Sequence, residues 1–259
     1  VTGWNQHEYA QMGLWLGDEY YEERYGYALD YVSILRSLWR DGSVTHKSKY
    51  FDLSDCQCLP QPANEIPIVS AGQSKAGTDF VAAVGGHSFV MASPEKVHRI
   101  AAELRAASEQ SGKPVGTYAL FHLVTAENDN DARRACDDIV AGGDIEAIKY
   151  MIGSATLDTV KDGTTEQVRK SAEADAGLLG GDISSGNMAF MGFPVIYGSY
   201  ASVARQIDEM AADSNLDGLL FSWPDWVPGI RAFGERVIPL LECRRDWDAN
   251  ARGGLRGTG

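Results

Sequence analysis

The sequence predicts an α/β protein with a parallel sheet. Compact apolar runs alternate along the chain with longer stretches of helical periodicity, and each run is bounded by glycine, proline or polar residues. Alternation of this kind argues for successive strand–helix–strand units, because a parallel pair needs a crossover long enough to hold a helix.

The strand candidates are residues 66–71, 88–92, 117–125 and 217–223. A helix expected over 18–40 carries Tyr21, Tyr25, Ala28, Val32, Leu35 and Trp39 at alternating spacings of four and three, which places them on one face. Another is expected over 94–111, with Ser93 as its N-cap and Pro94 at the first helical position, where a missing backbone donor costs nothing. Further helices are expected over 129–141, 199–212 and 227–243.

About four strand–helix units are thus present, whereas a (β/α)8 barrel needs eight in about 250 residues. The 259-residue chain reaches that length only through two long segments, 41–65 and roughly 143–197. It begins without Met on Val1-Thr2-Gly3-Trp4, which reads as a strand end entering a loop. The expectation is a single domain over 1–259 that lacks an N-terminal half. The stretch 178–198 is glycine-rich and holds Met188, Phe190, Met191 and Phe193, so it reads either as a lid over a flat ring or as a poorly ordered insertion.

Composition narrows the function. With 23 Lys and Arg against 36 Asp and Glu, the net charge is −13 and the pI near 4.8, which disfavours nucleic acid and anionic membrane as partners. There is no apolar run long enough to span a bilayer and no basic-then-apolar start, so a soluble cytoplasmic protein is expected. Cys56, Cys58, Cys136 and Cys243 make no disulfide framework, and the one-residue spacer of Cys56-Gln57-Cys58 is too short for an ordinary zinc knuckle. His7, His46, His87, His98 and His122 are scattered without metal-binding spacing.

Two features carry chemistry. Ala71-Gly72-Gln73-Ser74-Lys75-Ala76-Gly77 closes an apolar strand and opens a helix, where exposed backbone donors and the Ser74 hydroxyl suit a phosphate. A plain turn and cap would use the same residues. The second is the opening 1–9, with Glu8, followed by Arg24-Tyr25: a guanidinium beside a phenol can hold a phosphate, and a surface arginine beside a core tyrosine is the other reading. His122 on the third strand, and Trp223, Asp225 and Trp226 after the fourth, stand as weaker candidates.

These blocks resemble a known family. Val1-Thr2-Gly3-Trp4, Glu8-Tyr9, Gln11-Met12-Gly13, Asp18 and Arg24-Tyr25 look like the stretch after the fourth barrel strand of pyrimidine monooxygenases. Asp55-Cys56 with Pro60-Gln61-Pro62, Ala71-Gly72-Gln73-Ser74 with Gly77, the block 198–205 from Gly198 to Arg205, Gly229-Ile230, Phe233-Gly234-Glu235-Arg236 and Cys243-Arg244 are similar in the same order. The chain therefore resembles the bacterial-luciferase-like flavin-dependent monooxygenases, and most of all those that open a heterocyclic amide ring.

That resemblance implies a TIM (β/α)8 barrel, represented here by its C-terminal portion, with FMN at the C-terminal strand ends. Reduced flavin would come from a separate NAD(P)H-dependent reductase; oxygen adds to it, and the resulting peroxide attacks a carbonyl carbon of a small-molecule substrate. Glu8, Arg24, Tyr25 and Ser74 match the family's FMN contacts, while an asparagine usual before Val1 is absent. Flavin performs the oxygen chemistry itself, so no nucleophile or triad is required. A homo-oligomer is expected. Residues 89–94 run almost directly into a helix where the pyrimidine enzymes have a longer loop, and the lid and the 222–226 corner also differ. Relatives acting on sulfones, chlorinated aromatics or flavin itself, a non-catalytic flavin binder and a deazaflavin oxidoreductase are the alternatives.

Overall fold

The computed structural model of the chain describes residues 6–13, 17–72, 75–144, 146–147, 194–212 and 215–245. Ser74 and the expected lid segment up to residue 193 lie outside them.

A short helix, α1 (Gln6–Gln11), precedes the long α2 (Asp18–Asp41). Helix α2 ends where Gly42 takes φ 78° and returns its N–H to the Leu38 carbonyl, a left-handed close that favours glycine. Its inward side is broader than the periodicity predicts. Val32 lies where expected, but Ile34 and Leu38 are the other buried apolar residues, and Leu35 and Trp39 are half-buried.

The reason lies in the segment after α2, which the sequence left without structure. It folds as an antiparallel hairpin, β1 (Ser43–Lys47) and β2 (Asp52–Gln57). The hairpin packs on α2 through Phe51, whose ring sits 4.8 Å from Tyr27 and 6.1 Å from Tyr31. Asp30 of α2 bonds His46 at 2.7 Å and receives the Ser48 hydroxyl at 2.5 Å. A second side of α2 is thereby occupied.

The main sheet is wholly parallel, as the alternation predicts. It comprises β3 (Val69–Ser70), β4 (His87–Val90), β5 (Gly116–Ala126), β6 (Val195–Ser199) and β7 (Gly218–Ser222). Strand β3 is shorter than expected, and β6 was not foreseen. Strand β5 has three partners on two edges. Its residues 118–119 pair with both β4 and β7, so those two lie on opposite edges; His122 pairs with both β6 and β7, so β6 continues the β4 edge.

Connecting these strands are α3 (Lys75–Val84), α4 (Pro94–Ser111), α5 (Asp129–Ala141), α6 (Tyr200–Ala211) and α7 (Trp226–Ala232). Helix α4 has its predicted bounds, although Ser93 makes no side-chain cap bond. Asn128 caps α5 and Ser199 caps α6, each accepting the backbone N–H three residues on. The helix expected over 227–243 breaks up: α7 stops at Ala232, a wide turn spans Phe233–Val237, and Ile238–Leu240 and Glu242–Arg244 wind tightly. Pro239 within this stretch has no N–H for a regular helical bond.

The two faces of the sheet differ. Ala119, Phe121 and Leu123 of β5 are fully buried with Val90, Val97, Val203, Ile207, Val237 and Leu241, which marks the helix-covered face. Tyr118, Leu120 and His122 alternate with them and are half-buried, in register with Phe89, Leu220 and Ser222 on neighbouring strands. Helix α5 covers this second face at its upper end, where Val124, Cys136 and Val195 cluster. Below that, Leu220 stays 39% exposed.

Candidate flavin site

The first strand-to-helix turn meets α2 at a point of close packing. A Cβ built on Gly72 would fall 2.7 Å from the Tyr25 hydroxyl and 3.1 Å from the Gly77 Cα, and one on Gly77 would fall 2.5 Å from the Gly72 carbonyl oxygen. Neither position has room for a side chain. The turn is pressed onto the first coil of α3 while the phenol of Tyr25 reaches its backbone. Ser70, buried in β3, accepts the Gly72 N–H at 3.4 Å.

Tyr25 is fixed from two directions. Its ring lies 5.7 Å from Phe80 of α3, and the Arg24 guanidinium sits 4.8 Å from its centroid on the other element it belongs to, α2. Arg24 is only 8% exposed, an unusual position for a guanidinium. Burying its charge is costly unless polar groups or a counter-charge meet it. The start of α3 has the positive end of its dipole and backbone N–H groups.

The structure packs Arg24 on Tyr25 and brings the Tyr25 hydroxyl to the Gly72 turn. Glu8 stands exposed on α1, and Ser74 lies outside the described residues. The core-tyrosine reading of Tyr25 is half right: the ring packs in the core with Phe80 and Val32, while its hydroxyl emerges at the turn. What the sequence reading missed is the mutual dependence of Gly72 and Gly77, visible only as a five-residue spacing across a strand-to-helix junction.

His122 lies two strands away. Its Nδ1 is 2.7 Å from the Ser222 hydroxyl, a cross-strand pair between β5 and β7. Burial pushes the imidazole below its ordinary value, which keeps it neutral near pH 7. Trp223 turns instead to the rim, against Trp226 at 5.5 Å and Phe233 at 5.9 Å, with Gly229 under its ring. That is a packing role. Asp225 caps α7 without a side-chain bond, and Trp226 is 55% exposed.

A parallel sheet with helices after its strands, and a tight glycine turn at the first of these junctions, defines an α/β protein of the barrel type. The model of the luciferase-like monooxygenase family matches residues 1–216, and the chain belongs to that family. It is similar to pyrimidine monooxygenase RutA of Escherichia coli strain SE11, 38% identical over 248 residues that cover 94% of this chain and 62% of the relative. The chain thus spans about three fifths of that relative's length.

Among solved structures it resembles EDTA monooxygenase from Chelativorans (TM-score 0.71, 21% identity, 95% of this chain and 65% of the other). A riboflavin lyase with modified FMN and riboflavin gives the same TM-score at 18% identity, over 93% of this chain and 62% of that one. At such identities these likenesses establish the fold. Among the described residues no helix is long and apolar enough to cross a membrane.

Proposed function

We propose that this chain carries the phosphate-anchoring side of a two-component, FMN-dependent monooxygenase, which uses reduced flavin and O2 to oxygenate a small heterocyclic amide. The reading rests on the Arg24 guanidinium packed on Tyr25, with the Tyr25 hydroxyl delivered to the Gly72 turn. A cation, a phenol and a glycine turn at a helix start form a donor set suited to a phosphate dianion. The residues present fit FMN at its phosphate end.

Bound FMN supplies the oxygen chemistry. The chain's residues bind and orient it: Arg24, Tyr25 and Ser74 hold the phosphate, Glu8 serves the ribityl hydroxyls, and the apolar face around Leu120 and Leu220 keeps water from the ring. A separate NAD(P)H-dependent flavin reductase supplies the reduced cofactor. The heterocyclic amide as substrate class is carried over from the name of the pyrimidine monooxygenase relative. Trp226, Val227 and Ile230, all more than half exposed on α7, suit contact with a further copy, so a homo-oligomer in the cytoplasm is part of the reading.

The test compares FMN with riboflavin on the protein expressed from its full coding sequence, by quenching of flavin fluorescence. FMN is expected to bind at least tenfold tighter, and equal affinities would remove the phosphate anchor. Turnover with a flavin reductase, NADH and 18O2 is expected to place label in a heterocyclic amide product; peroxide release alone across a broad amide panel would remove the monooxygenase reading.

A further inference from the structure

The second face of the sheet, below its cover by α5, carries apolar residues together with the stacked pair His87 and Tyr118, whose rings lie 4.8 Å apart. Leu120 pairs across to Leu220 and Val124 lies two residues beyond His122, which has Val195 in register on one edge and Ser222 on the other, bonded to it at 2.7 Å. The bond to Ser222 meets one polar group of each residue, so the pair is held in a fixed place on this face. Burial keeps this imidazole neutral, so it offers one donor and one acceptor rather than a charge. Its Nδ1 is bonded to Ser222, which fixes the ring plane.

Position adds a second argument. Ser70, Ser88 and Thr117 share one register across β3, β4 and β5. His122 therefore lies two strands across and three residues further along the strand direction than Gly72, about 14 Å by ordinary strand spacing and rise. That separation corresponds to FMN laid out from its phosphorus to the pyrimidine edge of its ring. A phosphate held at the Gly72 turn by Arg24 and Tyr25 places a ring edge, or a heterocycle stacked beside it, over His122.

We propose that His122, oriented by Ser222, hydrogen-bonds the imide edge, the C=O and N–H groups, of a heterocycle bound over this face. The inference rests on the flavin reading above and deepens it by assigning the polar contact at the ring end. Ser222 is the positioning residue, and His122 makes the contact. The flavin's own pyrimidine ring and a uracil-like substrate present the same edge, and separate measurements tell them apart.

The experiment titrates FMN, by fluorescence quenching, into full-length wild type and into His122→Leu, His122→Gln and Ser222→Ala, and measures KM for uracil as the probe substrate along with melting temperatures. One hydrogen bond corresponds to a loss of roughly tenfold. His122→Leu is expected to lose that much, with His122→Gln recovering most of it and Ser222→Ala falling between. A weaker FMN constant assigns the edge to the flavin; an unchanged FMN constant with a raised KM assigns it to the substrate. If His122→Leu binds both as wild type does and only its melting temperature falls, the pair is a strand clip and the proposal is overturned while the flavin reading stands. If wild type binds no FMN, both fall together.

Discussion

Arg236 grips Glu127 with both arms of its guanidinium, at 3.1 and 3.0 Å to the two carboxylate oxygens, while the same guanidinium lies 4.4 Å from the centre of the Tyr200 ring. The contact joins the wide turn after α7 to the end of β5 and the start of α6. Both side chains are about half exposed or more, so solvent screens the pair. Glu127→Gln is expected to shift the melting temperature by no more than a few degrees. A loss above 10 °C in a thermal melt would give the clamp a role that its exposure does not predict.

Arg24 offers a sharper separation. Arg24→Lys keeps the charge but loses the planar fork, and Arg24→Ala loses both. On the phosphate-anchor reading, FMN affinity falls by about tenfold for the lysine and more for the alanine, since charge-assisted bonds are worth roughly 1.5–3 kcal/mol. Riboflavin affinity stays where it was. Parallel titrations with the two flavins check this, and an equal drop for both would place Arg24 in the fold rather than at the phosphate.

Gly72→Ala drives a methyl group into the Tyr25 hydroxyl at 2.7 Å and toward the Gly77 Cα at 3.1 Å. Overpacking of this kind costs about 1–3 kcal/mol. The double variant Gly72→Ala, Tyr25→Phe removes the first clash and is expected to regain part of that stability while still binding FMN poorly. Urea midpoints for the four members of the cycle measure the coupling.

Legibility in the sequence followed the strength of local signals. The helix from Pro94 to Ser111 announces itself by Ser93-Pro94 and by Gly112, and it was read to the residue. The parallel sheet followed from alternation alone. The hairpin was hidden because Thr45, His46, Lys47, Asp52 and Asp55 make a polar surface ribbon with no apolar alternation, and its packing depends on Tyr27 and Tyr31 of another element. Likewise Arg24 and Tyr25 were legible through family likeness, but the meeting of Tyr25 with Gly72 is a tertiary event nearly fifty residues apart in sequence. Ser222 as partner of His122 rests on register between strands a hundred residues apart, which no local pattern encodes.

Asp129 predicts a pH dependence. The Ser199 backbone N–H, donated at 2.6 Å, together with the Ser202 and Ser199 hydroxyls, holds this carboxyl below its ordinary value of 3.8. A carboxyl with a depressed folded value stabilises the fold above the unfolded value and loses that contribution as pH falls through the folded one. Asp129→Asn is therefore expected to flatten the decline in stability below about pH 4, as read from urea midpoints against pH. An unchanged slope would mean that the carboxylate adds nothing.

Phe121 is the largest of the fully buried side chains, at the centre of the cluster formed by β5, α4 and α6. Phe121→Ala is expected to cost about 3–5 kcal/mol, a large fraction of the roughly 5–15 kcal/mol that holds an ordinary domain folded. Leu or Met at this position costs far less, and equilibrium denaturation ranks the three.

Strand β5 is bonded along one edge by β4 and then β6, and along the other by β7. During synthesis it leaves the ribosome with β4 already made, while β6 and β7 are still some seventy and a hundred residues from emerging. For that interval β4 covers β5 only up to Ala119, and the stretch holding Phe121 and Leu123 lacks its strand partners on both edges, a condition under which nascent chains pair wrongly. Pairings this distant in sequence favour slow folding, because loop-closure entropy must be met before the long-range contacts form.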